Sequence, residues 1–318
     1  VRCVSNHSTA IVTNLSASQT ANSYMVHRSG YYKFKATVRG NGVGSLLPLG
    51  GTTTAEINGG LSTTISPSKV DFLWWQGDFT EVTGNASDVE NMLPIQILNN
   101  GELDDEGYIT FYVGAFHKGN VGLAAYDIDG EILWSWHIWL TDKPTDLITG
   151  NYTFMDRNLG ATIAPNTANR RLSFANEQER MATYGFYYQW GRKDPFNRPY
   201  HYNMANNSNK SGYDSNGNTI RYKAATADNS DTGSEEFARK NPNTLILGAK
   251  DNGWDWLFDS HNSSLWSASQ KSVNDPCPRG WRVPTSNQFA LLDIDAADDA
   301  LPSAEVKDKW GWYLSDAA

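Results

Sequence analysis

The sequence predicts a mainly β protein, in which strands dominate the front half and a few helices make the back half α+β. Three observations support this fold class. Aromatic residues make up 12% of the 318 residues and charged residues only 19%, a balance typical of β-structure. Long runs of strong helix formers at helical spacing are hard to find. Apolar residues alternate along several short segments that are bounded by turn residues.

Alternating apolar residues predict the strands of the front half. Tyr32, Phe34, Ala36 and Val38 follow the turn at Gly30 at every second position, as in a half-buried strand. Further strands are predicted at residues 70–75, 92–100 and 106–116. This spacing is typical of an all-β sandwich, and we expect one of the immunoglobulin-like kind.

The clearest unit is a β-hairpin around residues 127–130, which read Asp-Ile-Asp-Gly. Asp129-Gly130 suits a tight turn, and an apolar run stands on each side of it. In the second run, residues 132–139, apolar side chains fall on both faces. We therefore expect that strand to lie inside its sheet.

A polar stretch containing Pro144 and Gly150 predicts a linker at residues 144–150. It separates a β-sandwich domain at residues 6–143 from a second domain at residues 151–318. The elements expected in the second domain are a short helix over residues 174–184, a long polar loop at 197–235 with a hairpin at Ser215–Asn218, and a helix capped by Ser286.

Charge and hydropathy exclude several partners and favour no cofactor. The formal net charge of −9 would repel nucleic acid and an anionic membrane. No apolar stretch approaches a spanning helix, so we expect no direct membrane insertion. Asp214, Asn216 and Asn218 alternate as calcium ligands do, but Gly217 is misplaced for an EF-hand loop. A turn there, and a solvated acidic face at Asp293–Asp299, are the better interpretations, so calcium has no support.

Reactive side chains are few. Cys3 and Cys277 cannot form a metal site by themselves. They are interpreted as structural: a disulfide between them would close a very long loop, and partners outside the chain or two buried thiols are the alternatives. Pro276 and Pro278 make a rigid setting that disfavours a catalytic thiol. His137, between tryptophans in a predicted strand, is interpreted as a hydrogen-bonded structural histidine.

Aromatic residues in polar surroundings are the candidates for ligand binding. These are Tyr213, Trp254, Trp256 and Trp266. Rings in such positions can stack against a sugar or enter a groove on a partner protein. The competing interpretation is that they fill the core of a domain poor in aliphatic residues.

Three segments of the back half resemble a known family. They read FMDRNLGAT, YGFYYQWGRKDPF and DPCPRGWRVPTSNQFALL. Together they resemble the Fibrobacter succinogenes major paralogous domain, which occurs in surface proteins of Bacteroidetes. The resemblance covers about residues 151–318 and implies a fold similar to C-type lectins. The front half resembles the β-sandwich region of fimbrillin-like cell-surface proteins.

The resemblance implies a role for Cys277. Family members end on a strand reading like SVRCV, whose cysteine is expected to bridge to the one before PRGW. This chain begins with VRCV instead. Residues 1–5 are therefore interpreted as the tail of a preceding unit or as an arbitrary fragment end, and the second domain as incomplete at its C-terminus. The residues expected to fix the loop that presents Cys277 are Pro278, Gly280, Trp281 and Pro284.

The resemblance thus implies a non-enzymatic, exported protein at the bacterial surface, whose membrane anchor is expected to lie outside this chain. It would act in adhesion by binding a glycan or another surface protein. The alternative is a structural fimbrial or surface-assembly subunit that contacts neighbouring subunits by strand addition. An enzyme related to the formylglycine-generating group is disfavoured, because that group uses two reactive cysteines in one domain.

Overall fold

The computed structural model describes residues 10–41, 63–77, 93–164, 182–183, 185–196, 210–248, 253–267, 271–289 and 291. Within them the protein is mainly β, with few helices and several sheets. The strands are β1 (Val12–Asn14), β2 (Ser23–Val26), β3 (Gly30–Lys35), β4 (Lys69–Gly77), β5 (Gln96–Ile97), β6 (Tyr108–Val113), β7 (Gly119–Tyr126), β8 (Ile132–Leu140), β9 (Asp146–Thr149), β10 (Tyr152–Met155), β11 (Lys210–Tyr213), β12 (Thr219–Arg221), β13 (Lys223–Thr226) and β14 (Thr244–Leu247). The helices are α1 (Glu235–Lys240) and α2 (Ser286–Phe289). No helix of the described ranges combines the length and apolar character needed to cross a membrane.

Two sheets share the main core. One has four strands in the order β1-β3-β6-β5, and the other has six in the order β12-β11-β4-β7-β8-β2. Phe34 of the first sheet packs edge-on against Trp136 of the second, with ring centroids 5.1 Å apart. The predicted alternation along β3 and beyond is confirmed, because Tyr32, Phe34, Ala36 and Val38 are all buried.

The predicted hairpin is confirmed. β7 and β8 pair antiparallel along their length, and the turn closes where Asp127 N–H donates to the Glu131 carbonyl at 3.0 Å. Gly130 has φ +83°, a left-handed conformation that suits glycine. β8 lies between β7 and β2, and residues 134–140 are buried, so the strand is internal as predicted.

Of the three other strands predicted in the front half, two are confirmed and one is mostly wrong. β4 and β6 confirm the strands predicted at residues 70–75 and 106–116. The strand predicted at 92–100 is mostly wrong: among its described residues only β5 is a strand, and a 3-10 turn follows at Asn99–Gly101.

One hairpin of the back half joins a sheet of the front half. β11 and β12 form the predicted hairpin around residues 215–218, and β11 adds to the six-stranded sheet where Tyr213 pairs with Trp75. β9 lies within the predicted linker and pairs with β10. The large sheet therefore contains strands from both sides of residues 144–150, an arrangement that the sequence did not predict.

The helix α1 was not predicted, although its signals are present. Ser234 is the N-cap, since its Oγ accepts from the Phe237 N–H at 3.2 Å. The charged residues suit the helix dipole, with Glu235 and Glu236 in the first turn and Arg239 and Lys240 in the last.

The predicted cap of the last helix needs a correction. Ser286 is the first residue of α2, and Thr285 caps it. Thr285 Oγ1 accepts from Gln288 N–H at 3.2 Å, and Gln288 Oε1 accepts from Thr285 N–H at 3.0 Å. This reciprocal pair is a capping box, which places the cap one residue earlier. The helix predicted over 174–184 lies outside the described residues, apart from 182 and 183.

Candidate functional site

One segment of the back half, residues 186–196, holds several neighbouring elements together, and we call it the clamp segment. Its Gln189 amide bonds to the backbone of β14: the Nε2 donates to the Ile246 carbonyl at 2.7 Å, and the Oε1 accepts from Ile246 N–H at 3.1 Å. β14 pairs with β13. The Gln189 side chain thus occupies backbone groups that a neighbouring strand would otherwise use.

Arg192 of the clamp segment is buried and holds the end of α1. Its Nη1 donates to the Thr244 carbonyl at 2.7 Å, and its Nη2 donates to the Asn241 carbonyl at 3.3 Å and the Ala238 carbonyl at 3.4 Å. A cation at a helix C-terminus is favourable because the dipole is negative there. Burial lowers the pKa of Arg192 to about 10, so it stays charged at neutral pH.

A buried ion pair joins the clamp segment to β8. Lys193 Nζ lies 2.6 Å from Asp194 Oδ1, and Ser135 Oγ donates to the same oxygen at 2.5 Å. The ammonium also lies over the Trp134 ring, 4.6 Å from its centroid. Burial lowers the pKa of Lys193, while Asp194 opposes this shift. The adjoining cleft is small, with a volume of about 20 Å³.

The clamp segment also anchors the tryptophan loop (residues 253–262). Trp256 is buried, and its Nε1 donates to the Trp190 carbonyl at 2.6 Å. Asp255 Oδ2 lies 2.6 Å from His261 Nδ1, and its Oδ1 accepts from Leu257 N–H at 3.1 Å. The loop is therefore held to the clamp segment through Trp256 and closed on itself by the contact between Asp255 and His261.

Trp254 stands out within this anchored loop. Its side chain is 70% exposed, and its backbone has φ +66°. A left-handed conformation costs a bulky residue about 1–2 kcal/mol, and such strain persists only where the surroundings impose it. The backbone of Gly248 lies against the Trp254 carbonyl, so close that a Cβ atom at position 248 would overlap it.

Further exposed apolar side chains lie in this loop and on strand β14. Leu247 accepts from Ala227 N–H at 2.9 Å and precedes Gly248. Phe258 N–H donates to the Gly233 carbonyl at 2.9 Å. We call the exposed side chains of Leu245, Leu247, Trp254 and Phe258 the apolar patch. Patches of this kind often mark interaction sites.

The other predicted ligand-binding residues are largely covered by protein. Trp266 is buried, packs against the Trp190 ring at 5.1 Å and donates to the Asn274 carbonyl at 3.1 Å. Tyr213 is half-buried and packs against Trp75, with ring centroids 5.2 Å apart. Binding by Trp256, Trp266 and Tyr213 stays a prediction, but Trp254 is the ring among the four that offers most of its surface.

The segment around Cys277 is organised by an ion pair that sequence reasoning missed. Lys271 Nζ donates to Asp275 Oδ1 at 2.7 Å and to the carbonyls of Cys277 and Trp281 at 2.7 and 2.8 Å. The same carboxylate accepts from the N–H groups of Cys277 at 2.8 Å and Val283 at 2.9 Å. All three ammonium donors are thus used. The sequence did contain a signal for this ion pair, because Lys271 stands four residues before Asp275.

The predicted structural residues of this segment lie beside the edge strand of the large sheet. Pro278 forms a parallel bridge with Ser23 of β2, and Trp281 N–H donates back to the Pro278 carbonyl at 3.1 Å. Gly280 has φ +81°, which favours glycine. Pro284 is half-buried.

Among the residues that the structure describes Cys277 has no disulfide partner, and burial raises the pKa of its thiol well above the ordinary value, with Asp275 adding to the shift. The thiol is therefore protonated at neutral pH and a poor nucleophile. Cys3 lies outside the described residues, so the disulfide stays a prediction.

His137 forms a buried group with Ser23 and Asn120 whose residue types resemble a catalytic triad. Its Nε2 lies 2.8 Å from Asn120 Oδ1 and its Nδ1 lies 3.2 Å from Ser23 Oγ. The Ser23 hydroxyl donates instead to the Pro276 carbonyl at 2.6 Å. Burial lowers the pKa of His137 to about 3. All three residues are under 5% exposed, so His137 is a buried, hydrogen-bonded side chain, as predicted.

The Asp214 carboxylate stabilises the predicted turn by accepting hydrogen bonds from its backbone. Asp214 Oδ1 accepts from the N–H groups of Asn216 at 2.9 Å and Asn218 at 2.8 Å. Within the described ranges, no group of three or more His, Cys, Asp or Glu residues is placed to hold a metal ion. The acidic stretch Asp293–Asp299 lies outside the described residues.

Comparison with models of known families, with curated proteins and with solved structures found no match.

Proposed function

We propose that this chain is a non-enzymatic protein of the bacterial cell surface that binds a glycan or another protein through Trp254. The observation that carries the proposal is the combination of 70% exposure with a left-handed backbone at a bulky residue. A ring that only filled space would be buried, as Trp256 is. A stacked aromatic pair contributes about 0.5–1.5 kcal/mol beyond its buried area.

The proposal includes a finer architecture. The front half would be an immunoglobulin-like sandwich, and the back half a domain similar to C-type lectins. The contact between Phe34 and Trp136 across two sheets supports the first part. The three segments that resemble the Fibrobacter succinogenes major paralogous domain support the second, and with it export to the cell surface.

Replacement of Trp254 by glycine tests the binding function. The glycine removes the ring and relieves about 1–2 kcal/mol of backbone strain, against about 0.5–1 kcal/mol of lost chain entropy. We expect stability to stay equal or rise, while binding to printed glycans and immobilised peptides weakens about fivefold or more. A matched control is Ile128→Gly, since Ile128 is 88% exposed in the turn between β7 and β8. Equal binding by the Trp254 variant and wild type would remove Trp254 from the site.

A further inference from the structure

The loop that contains Trp254 and a second loop in contact with it contain acidic residues and no lysine or arginine. The acidic loop (residues 228–235) contains Asp228, Asp231 and Glu235, and the tryptophan loop contains Asp255 and Asp259. The loops touch, because Phe258 N–H donates to the Gly233 carbonyl at 2.9 Å. Asn262 Nδ2 also donates to Glu235 Oε1 at 3.1 Å. The loop that holds Trp254 and Phe258 and the loop in contact with it therefore contain five carboxylates in all.

Two of the five carboxylates have basic neighbours, since Asp255 contacts His261 and Glu235 lines a cleft with Arg192 and Arg239. The other three differ. Asp228, Asp231 and Asp259 are exposed, and no lysine or arginine of the described ranges forms an ion pair with them. The basic residues of α1 point to other carboxylates: Lys240 pairs with Glu131 at 2.8 Å, and Arg239 faces Glu236. The charges of Asp228, Asp231 and Asp259 thus remain available to a partner.

We propose that the apolar patch and its bordering carboxylates bind a basic segment of a partner protein, one that carries arginine or lysine. This inference rests on the proposed function, because Trp254 is central to both. A guanidinium stacks on an indole face through cation–π attraction and pairs with a carboxylate at the same time. Opposite charge also speeds the encounter of the two surfaces.

Charge decides between a basic segment and other occupants. A sulfated or sialylated glycan, like a nucleic acid, would bring negative charge toward the exposed carboxylates of Asp228, Asp231 and Asp259. A neutral sugar would cover some of these carboxylates without supplying a compensating cation, which is unfavourable. A basic segment supplies the cation and the apolar stem together, since lysine and arginine carry long methylene chains.

The test uses short synthetic peptides of matched length and aromatic content, containing arginine, glutamate or neither. We compare wild type with Trp254→Gly, with the double variant Asp231→Asn/Asp259→Asn, and with a control double variant Asp105→Asn/Asp129→Asn. The control makes the same change of charge at exposed positions elsewhere. Circular dichroism checks that each variant is folded.

We expect wild type to prefer the arginine peptide at low salt. The Asp231/Asp259 variant should weaken this binding about threefold to tenfold, with the preference falling as salt rises, and the control should bind as wild type does. Equal binding of arginine and neutral peptides, or equal loss in both double variants, would overturn the basic-segment proposal. If Trp254→Gly still abolished binding to a neutral glycan in that case, the proposed function would stand. If Trp254→Gly bound every probe as wild type does, both would fail.

Discussion

The Lys271–Asp275 pair offers the sharpest test of how the Cys277 segment is held. Its side chains are about 1% and 2% exposed. Lys271→Met keeps the apolar stem and removes the ammonium. The Asp275 carboxylate would then be buried without its cation, and the carbonyls of Cys277 and Trp281 would lose their donor.

The expected loss of stability follows from this geometry. Breaking a buried ion pair by removing one partner costs about 3–5 kcal/mol, because the remaining charge is left in a poorly solvating interior. Domains are typically stable by about 5–15 kcal/mol. The variant should therefore fold, with a much lower midpoint of urea unfolding.

Urea denaturation, followed by circular dichroism and tryptophan fluorescence, measures the effect. The matched control is Lys69→Met, since Lys69 pairs with Asp71 at 3.2 Å with side chains 50% and 47% exposed. That pair should contribute at most about 1 kcal/mol. If Lys271→Met and Lys69→Met lowered stability equally, the ion pair would not organise this segment.

Two further predictions concern the packed interior. Because burial lowers the pKa of His137 from 6.5 to about 3, below pH 6.5 the unfolded state gains a proton that the folded state does not, and stability falls as pH falls. The free energy of unfolding should therefore fall by about 2 kcal/mol between pH 7 and pH 5. In the variant His137→Gln this part of the pH dependence of the urea midpoint should be absent. An imidazole that titrates near its ordinary pKa by NMR would contradict the prediction. Gly160→Ala should destabilise the fold by about 1–3 kcal/mol more than Gly130→Ala, because both have φ near +85° but the new methyl would overlap Phe186 only at position 160. Equal thermal unfolding midpoints would show that Phe186 moves aside freely.

The sequence alone determined several local elements of the front half. Alternation at Tyr32, Phe34, Ala36 and Val38 fixed which side chains face the core, since successive residues of a strand point to opposite faces. The turn at Gly130 was readable because only glycine adopts its conformation without strain. Both signals lie within a few residues of the element they specify.

Tertiary structure decided which aromatic residues are available to a ligand. Trp254 and Trp256 stand two positions apart in the same polar stretch, yet one is 70% exposed and the other 5%. The difference depends on the Trp190 carbonyl, which lies 66 positions away in the sequence. The same holds for Gln189 at β14 and for Tyr213, which joins a strand of the front half. No periodic pattern encodes these partners, because burial outside regular strands and helices depends on which distant groups satisfy a side chain.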